Sequence, residues 1–325
     1  MKIQVIGGGS WGLALARLLA LNEHEVRVWC RAEDNPALLR ESRESKTFLP
    51  GVLMPENVDV NETVDPNAEI AVLALPSHVM RKALSEHVLS PETIRVSVAK
   101  GIENETLLRM SEVIAEACPK APVMSLSGPS HAEEVARDLP ASVVVAGADV
   151  AAREKVQRAF FRKSFRVYTS SDIIGVELGG SLKNVAAIGA GVCDGLGLGD
   201  NAKAALITRG LTEISRLGVA CGADPLTFSG LSGMGDLIVT CASLHSRNRA
   251  VGQAIAEGAS LEEIQGSSPM VAEGVRTTKS ACALSRKRGV EMPIAQAVHA
   301  VLFDGIRPAE AIESLMTRDA RPELD

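Results

Sequence analysis

Two lysines and one aspartate stand out in this sequence because glycines crowd around them. Lys183 and Asn184 close the segment Gly175–Asn184 (GVELGGSLKN), which has a helical pattern yet holds glycines at 175, 179 and 180. Each glycine costs a helix roughly 1 kcal/mol relative to alanine, a cost tolerated where something must approach the backbone closely. A partly desolvated lysine beside such a face can protonate a carbonyl oxygen, or take the proton back in the reverse direction. Asp236 ends a second glycine-rich segment, Gly230–Asp236 (GLSGMGD), and is a candidate to pair with Lys183 and orient its ammonium. Thr240 follows shortly after. Ser246-Arg247-Asn248-Arg249 then reads as a helix start, with Ser246 as the capping residue and Arg247 and Asn248 in the first turn. Free backbone N–H groups plus an arginine at a helix N-terminus make an anion site suited to phosphate. Taken singly, each residue has a plainer reading: Lys183 as a surface lysine, Asp236 as a helix cap, Arg247 and Arg249 as an exposed basic face.

A different chemistry is written at the N-terminus. Gly7-Gly8-Gly9-Ser10-Trp11-Gly12 contains G-x-G-x-x-G, directly after a short apolar run and at the start of a helical pattern. In that context Gly7 permits a tight turn, Gly9 lets a pyrophosphate approach the backbone, and Gly12 lets helix and strand pack closely. The helix N-terminus supplies free N–H groups and a positive dipole end. The second strand ends Trp29-Cys30-Arg31-Ala32-Glu33. An acid here would bind the ribose 2′-hydroxyl of NAD, whereas a cation would meet the 2′-phosphate of NADP. Arg31 stands at that place and Glu33 falls slightly late, which favours NADP(H) without strictly excluding NAD(H); the plain alternative for Arg31 is a solvated surface arginine.

These residues need elements to position them. Lys2–Ile6, Glu25–Trp29, Glu69–Leu75 and Ile94–Ala99 read as strands, Val123–Leu126 begins a fifth, and Val143–Ala146 and Arg166–Tyr168 add strand-like pieces. Helical stretches such as Val79–Leu89 and Glu105–Ala117 lie between them. Strands that alternate with helices, and that are nearly continuously apolar, predict a parallel, doubly wound sheet covered on both faces. After about Ser171 the strands stop and helices follow. Asp200 reads as a cap for a helix ending before Gly218, Asp224-Pro225 as a cap followed by proline at the first helical position, Ser260–Glu263 as a capping box, and Gly289 as a helix end. The fold class is therefore α/β: a Rossmann-like parallel sheet domain over 1–171, then an all-α substrate and catalytic domain over 172–325. Lys100 directly follows the fourth strand, and Ser127-Gly128-Pro129-Ser130-His131-Ala132 follows the fifth, so both lie beyond carboxyl ends of strands, where open sheets of this kind bind ligands. His131 is a weaker candidate for the proton donor than Lys183, and reads more simply as a first-turn helix residue.

The bulk numbers limit the alternatives. A chain of 325 residues is long for one core, so two domains are expected. A net charge of −6 and 3% aromatic residues argue against a nucleic-acid binder. None of the six cysteines makes a CxxC pair, so no metal site is expected, and reduced thiols in a cytoplasmic protein are the simple reading. The N-terminus lacks a signal-peptide layout, and no apolar run approaches the roughly 20 residues that would span a bilayer.

The sequence closely resembles the bacterial NAD(P)-dependent sn-glycerol-3-phosphate dehydrogenases. The similar blocks are GGGSWGLALA at 7–16, VAKGIE at 98–103, LSGPSHAEEVA at 126–136, the long run from Gly175 to Glu213, GLSGMGDLIVTC at 230–241, SRNR at 246–249 and VAEGVRT at 271–277. They span most of the chain in order. The resemblance implies that Lys183 is the proton acceptor in alcohol oxidation, within a catalytic set of Lys183, Asp236, Lys100, Asn184 and Thr240. It implies that Lys100, Gly128, Ser130, Lys183, Asp236, Ser246, Arg247 and Asn248 contact a triose phosphate. Ser10, Trp11, Arg31, Lys100, Ala132, Arg247, Val271 and Glu273 would join the glycine turn in contacting the cofactor. It also implies reduction of dihydroxyacetone phosphate for phospholipid synthesis, and a homodimer. Ser181 stands where alanine is more common, and His131 where phenylalanine is.

Two other readings compete. A related β-hydroxyacid-type dehydrogenase would need an anchor for a carboxylate, against which the SRNR block argues. A redox-sensing binding protein without catalysis should have lost Lys183 or Asp236, and both are present. The reading of Arg31 predicts that Arg31→Ala raises the Michaelis constant for NADPH more than that for NADH; an equal loss for both would reject it.

Overall fold

The computed structural model describes residues 1–266, 272–320 and 322–323. Ten strands occur in the order β1 (Lys2–Ile6), β2 (Glu25–Trp29), β3 (Glu44–Ser45), β4 (Leu49–Leu53), β5 (Val58–Asn61), β6 (Ile70–Leu73), β7 (Ile94–Ser97), β8 (Val123–Ser127), β9 (Ala141–Ala146) and β10 (Phe165–Ser170). Eight form one sheet in the order β10-β9-β8-β7-β6-β1-β2-β5, and β3 and β4 make a separate antiparallel ribbon. Helices α1 (Ser10–Leu21), α2 (Pro36–Ser42), α3 (Met80–Glu86), α4 (Met110–Ala117), α5 (Ala132–Val135) and α6 (Val150–Phe160) belong to this half. Strands β6 and β7 are buried at every residue, as expected for strands covered on both faces. The order reverses at β1, which lies between β2 and β6, and the glycine turn leaves β1 there.

The sheet differs from the sequence reading in three respects. Strands β8 and β9 pair antiparallel. Only the four-residue α5 lies between them, about 6 Å of helix, too short to carry the chain back along a strand of about 17 Å. The edge strand β5 and the β3–β4 ribbon were not expected, because such short strands carry little periodicity. Helix α4 starts only at Met110, since Leu107 takes a left-handed conformation (φ 63°) and Ile102 bridges Arg109. Helix α3 is likewise shorter than expected, ending at Glu86.

The remaining helices are α7 (Ile173–Gly195), α8 (Gly199–Ala220), α9 (Asp236–Ala242), α10 (Arg247–Ala256), α11 (Leu261–Gly266), α12 (Glu273–Arg288), α13 (Pro293–Phe303) and α14 (Pro308–Met316). Asp172 starts α7 by accepting from Gly175 N at 2.9 Å. The caps at Asp224, Ser260 and Gly289 are present as expected. The one assigned to Asp200 is not: α8 begins at Gly199 and continues through Gly218 to Ala220, Gly218 lying against the Phe228 ring.

The expectation about apolar length also needs correction. Helix α7 has 23 residues and is long and apolar enough to cross a membrane, but 89% of its apolar window is buried inside the protein. Helices α8, α9, α10, α12 and α13 pack around it. Its internal charges have partners, so it is a core helix buried all round. Glu177 accepts from Ser111 N (2.7 Å), Ser111 Oγ (2.6 Å) and Arg109 (2.6 Å), which ties α7 to the start of α4 in the sheet half.

Helix α10 crosses α7 at two glycines. A Cβ on Gly191 would overlap the Arg249 carbonyl, and one on Gly252 would overlap the Ile188 carbonyl. This crossing fixes Lys183 on one helix relative to Arg247 on the other. Because neither backbone can yield, Gly252→Ala is expected to lower stability by about 3 kcal/mol. Urea unfolding measures this, and an unchanged midpoint would contradict the close crossing.

Candidate active site

Three elements converge on one buried charge cluster. Strand β7 ends at Ser97, so Lys100 lies past its carboxyl end; Lys183 projects from the middle of α7; Asp236 begins α9. The Lys183 ammonium donates to Asp236 Oδ1 and, at 2.6 Å, to Thr240 Oγ1. Lys100 Nζ donates to Asp236 Oδ2 at 2.8 Å and to the Gly128 carbonyl at 3.1 Å. Thr240 in turn donates to the Asp236 carbonyl at 2.6 Å. Side-chain exposure is 5% for Lys183 and 1% for Asp236, against 19% for Lys100, so the cluster opens toward Lys100.

Glycines make this approach possible. A π-helical turn over Leu231–Gly235 delivers Asp236, and a Cβ on Gly179 would meet the Ser232 carbonyl at 2.6 Å. A Cβ on Gly180 would collide with Ser127 Oγ at the end of β8. The glycines that weaken the α7 pattern are thus the ones that admit its neighbours.

Burial pushes the Lys183 ammonium down to about 7; Asp236 opposes that shift and the nearby Lys100 charge adds to it. Burial alone would raise the Asp236 carboxyl, but Lys100 and Lys183 together hold it below its ordinary value. The result is a carboxylate shared by two cations, one of which can exchange a proton near neutrality.

A chain of side-chain amides closes the cluster from behind. Asn184 Nδ2 donates to the Lys100 carbonyl at 3.0 Å, Asn248 Nδ2 to Asn184 Oδ1 at 2.9 Å, and Gly274 N to Asn248 Oδ1 at 2.9 Å. Asn184 and Asn248 therefore position neighbours, and the Asn248 side chain retains only one N–H for any ligand. Ser246 caps α10, accepting from Arg249 N at 3.2 Å. Arg247 is exposed and makes no ion pair with a described residue. Arg249, grouped with it in the sequence, is turned away and bonded to Asp194 at 2.5 Å. Glu273 accepts from Ser77 N at 2.7 Å, joining α12 to the sheet half. Ser130 donates to the Gly128 carbonyl at 2.9 Å, and Gly128 has a φ of 143° that favours glycine.

His131 stands at the N-cap position of α5, without a side-chain capping bond, rather than in its first turn, and its ring is 5.8 Å from that of His245. Burial, with the Lys183 and Lys100 charges, lowers its pKa, which keeps the imidazole neutral. Val271 lies outside the described residues. Among the described residues no group of acids, histidines and cysteines could hold a metal ion.

The glycine turn fits a dinucleotide. A Cβ on Gly7 would strike the Ala74 carbonyl and one on Gly12 the Gly7 carbonyl, whereas Gly9 faces open space. Gly9 is the N-cap residue of α1, so the N-terminus of that helix, with its positive dipole end, stands at the turn. Ala132 is buried at the start of α5, and the half-buried Trp11 packs on the core. Arg31 lies beyond β2, and sequence reasoning missed its partner: Asp34 binds it at 2.8 Å through an i,i+3 spacing legible in the sequence.

Known proteins settle the family. The model described as NAD-dependent glycerol-3-phosphate dehydrogenase N-terminus matches residues 2–153, and its C-terminus counterpart matches 172–313. The chain belongs to the NAD-dependent glycerol-3-phosphate dehydrogenase family. It is 50% identical to a glycerol-3-phosphate dehydrogenase [NAD(P)+] of Pelotomaculum thermopropionicum, with all of this chain and 95% of that one covered. It is 51% identical to one from Thermoanaerobacter sp., covering all of this chain and 99% of the other. The crystal structure of a glycerol-3-phosphate dehydrogenase from Coxiella burnetii superposes with a TM-score of 0.92 at 35% identity, covering 97% and 98% of the two chains. The protein is an NAD(P)-dependent oxidoreductase, and its N-terminal part is the nucleotide-binding region.

The position of Lys183 gives a signed pH dependence. With Lys183 as the proton carrier, carbonyl reduction would use the ammonium, so its kcat/KM should fall as pH rises through about 7, and alcohol oxidation should rise over the same interval. Profiles flat between about pH 6.5 and 8.5 in both directions would contradict Lys183 as the proton carrier.

Proposed function

We propose that this chain interconverts dihydroxyacetone phosphate and sn-glycerol 3-phosphate, supplying the latter to phospholipid synthesis. The observation that carries the reading is the buried Lys183–Asp236–Lys100 cluster, in which one carboxylate neutralises only one of two cations. Its residual positive charge suits an anionic substrate, and the first turn of α10 with the exposed Arg247 suits a phosphate in particular.

In this reading the phosphate docks on the backbone amides of α10, Arg247 and the remaining Asn248 N–H. Lys183, held by Asp236 and Thr240, hydrogen-bonds the ketone oxygen and protonates it as the alcohol forms. Lys100, held by Asp236 and the Gly128 carbonyl, lies at the open side of the cluster and faces both ligands. Gly7, Gly9, Ser10, Trp11 and Gly12 hold the pyrophosphate, Arg31 meets the adenine ribose, and Ala132, Val271 and Glu273 complete the cofactor site. NAD(P)H, when bound, supplies the hydride for C2. The nucleotide-binding domain covers 1–171 and the helical domain 172–325, the division falling between β10 and the Asp172 cap of α7. The homodimeric assignment rests on family resemblance, and the cytoplasmic one on the reading of the cysteines as reduced thiols.

An alternative assignment to β-hydroxyacid substrates is disfavoured by the α10 anchor, which presents a helix N-terminus and an arginine where a phosphate fits. The deciding assay follows NADPH oxidation with dihydroxyacetone phosphate against a panel of 2-keto acids. Turnover should be confined to the triose phosphate; preference for a keto acid would overturn the proposal. Lys183→Ala should lower kcat by about 10³-fold, within the usual contribution of a proton donor, while NADPH still binds. Near-native turnover in that variant would remove the lysine from the mechanism.

A further inference from the structure

The end of β2 carries more than a single cation. Arg31 sends its Nε and Nη2 edge to Asp34, with Nε to Oδ2 at 3.0 Å and Nη2 to Oδ1 at 2.8 Å. Glu33 stands 3.8 Å from the same guanidinium. The Arg31 side chain is 60% exposed but that of Asp34 only 12%, so the arginine reaches toward solvent from a carboxylate that is itself held in place. The backbone places that carboxylate beside the arginine. Residues Ala32–Asp34 form a tight 3-10 turn, closed by Asp34 N to the Arg31 carbonyl at 3.1 Å. Asn35 then takes a left-handed conformation (φ 51°) and caps α2, with Pro36 at its first position. The Asp34 backbone is thus set beside Arg31, and its side chain lies mostly buried against the guanidinium.

This arrangement bears on which dinucleotide is accepted. A guanidinium binds carboxylate or phosphate best through two parallel N–H bonds from one edge. Here one such edge is already occupied by Asp34. A 2′-phosphate arriving at Arg31 must take the remaining Nη1 side or displace Asp34, and in either place it meets the charges of Asp34 and Glu33. A ribose 2′-hydroxyl brings no charge and meets no such repulsion. We propose that Asp34 is a specificity-determining residue, which competes with the 2′-phosphate for Arg31 and thereby lowers the advantage of NADP(H) over NAD(H). The inference rests on the assignment of Arg31 to the adenine-ribose end of the cofactor site.

The test is calorimetric titration of the purified full-length protein with NADPH and NADH, and with the fragments adenosine 2′,5′-bisphosphate and adenosine 5′-diphosphate, so that binding is read without turnover. Asp34→Asn, which keeps the shape and a hydrogen-bonding oxygen, should shift the NADPH-to-NADH affinity ratio toward NADPH by roughly tenfold, the size expected of one carboxylate charge a few ångströms from a phosphate near water. The fragment pair should shift in the same sense, and the effect should shrink as salt is raised to about 0.5 M. In an Arg31→Ala background Asp34→Asn should still shift the ratio toward NADPH, through the direct charge repulsion, but by less than in the parent protein, because the competition for Arg31 is gone. An unchanged ratio, or equal movement of both dinucleotides, would overturn the inference. Arg31→Ala alone separates the two possible failures. If it selectively weakens NADPH while Asp34→Asn does nothing, only the role of Asp34 falls; if it weakens neither or both equally, the cofactor-site assignment falls with it.

Discussion

Two ammonium groups share one buried carboxylate, and the geometry of the site follows from that constraint. Asp236 is almost wholly excluded from water and would be costly as an unpaired anion. Lys183 from α7 and Lys100 from the end of β7 supply the compensation, so the cluster forms only when the helical half and the sheet half are docked. Removing Asp236 would leave two neighbouring ammonium groups without a counter-ion, whereas removing either lysine leaves a one-to-one pair. The triad therefore couples the assembly of the site to the packing of the two halves.

That coupling is reinforced on several sides. Glu177 reaches from α7 to Ser111 and Arg109, Glu273 reaches from α12 to Ser77, and the Asn184–Asn248 chain links the Lys100 carbonyl to Gly274. Each is a buried or half-buried polar contact between elements far apart in sequence. Such groups add little net stability when satisfied but penalise any arrangement that leaves them unpaired. Their effect is to restrict the relative placement of α7, α10 and α12, on which Lys183, Arg247 and Glu273 are carried.

Charge and burial also divide labour between the lysines. Lys183 is buried and shifted toward neutrality, which suits proton exchange, whereas Lys100 stays partly exposed at the mouth of the cluster, which suits contact with ligands. The glycines do complementary work: those at 179 and 180 admit the Asp236 turn and β8 to α7, and those at 191 and 252 bring α10 down onto it. A helix with these glycines would be poor in isolation; here its neighbours compensate by burying it from Gly175 to Cys193.

The sequence by itself determined the architecture class, the glycine turn, the change to helices after Ser171, and the identity of Lys183 and Asp236 as partners. Those features are local patterns or follow from residue types with few roles. Tertiary structure alone decided that Lys100 shares Asp236, that Arg249 turns to Asp194 while Arg247 is exposed, that Asn248 is mostly engaged by its neighbours, and that β9 runs antiparallel to β8. The physical reason is the same in each case. Which of several compatible partners a charged or amide group takes, and which way a strand enters a sheet, depend on connection length and on helix crossings set by contacts many residues apart, and no periodicity records them. Asp34 is the exception: its i,i+3 spacing from Arg31 is local, but only the left-handed Asn35 and the short turn before it show that the carboxylate is held against the guanidinium.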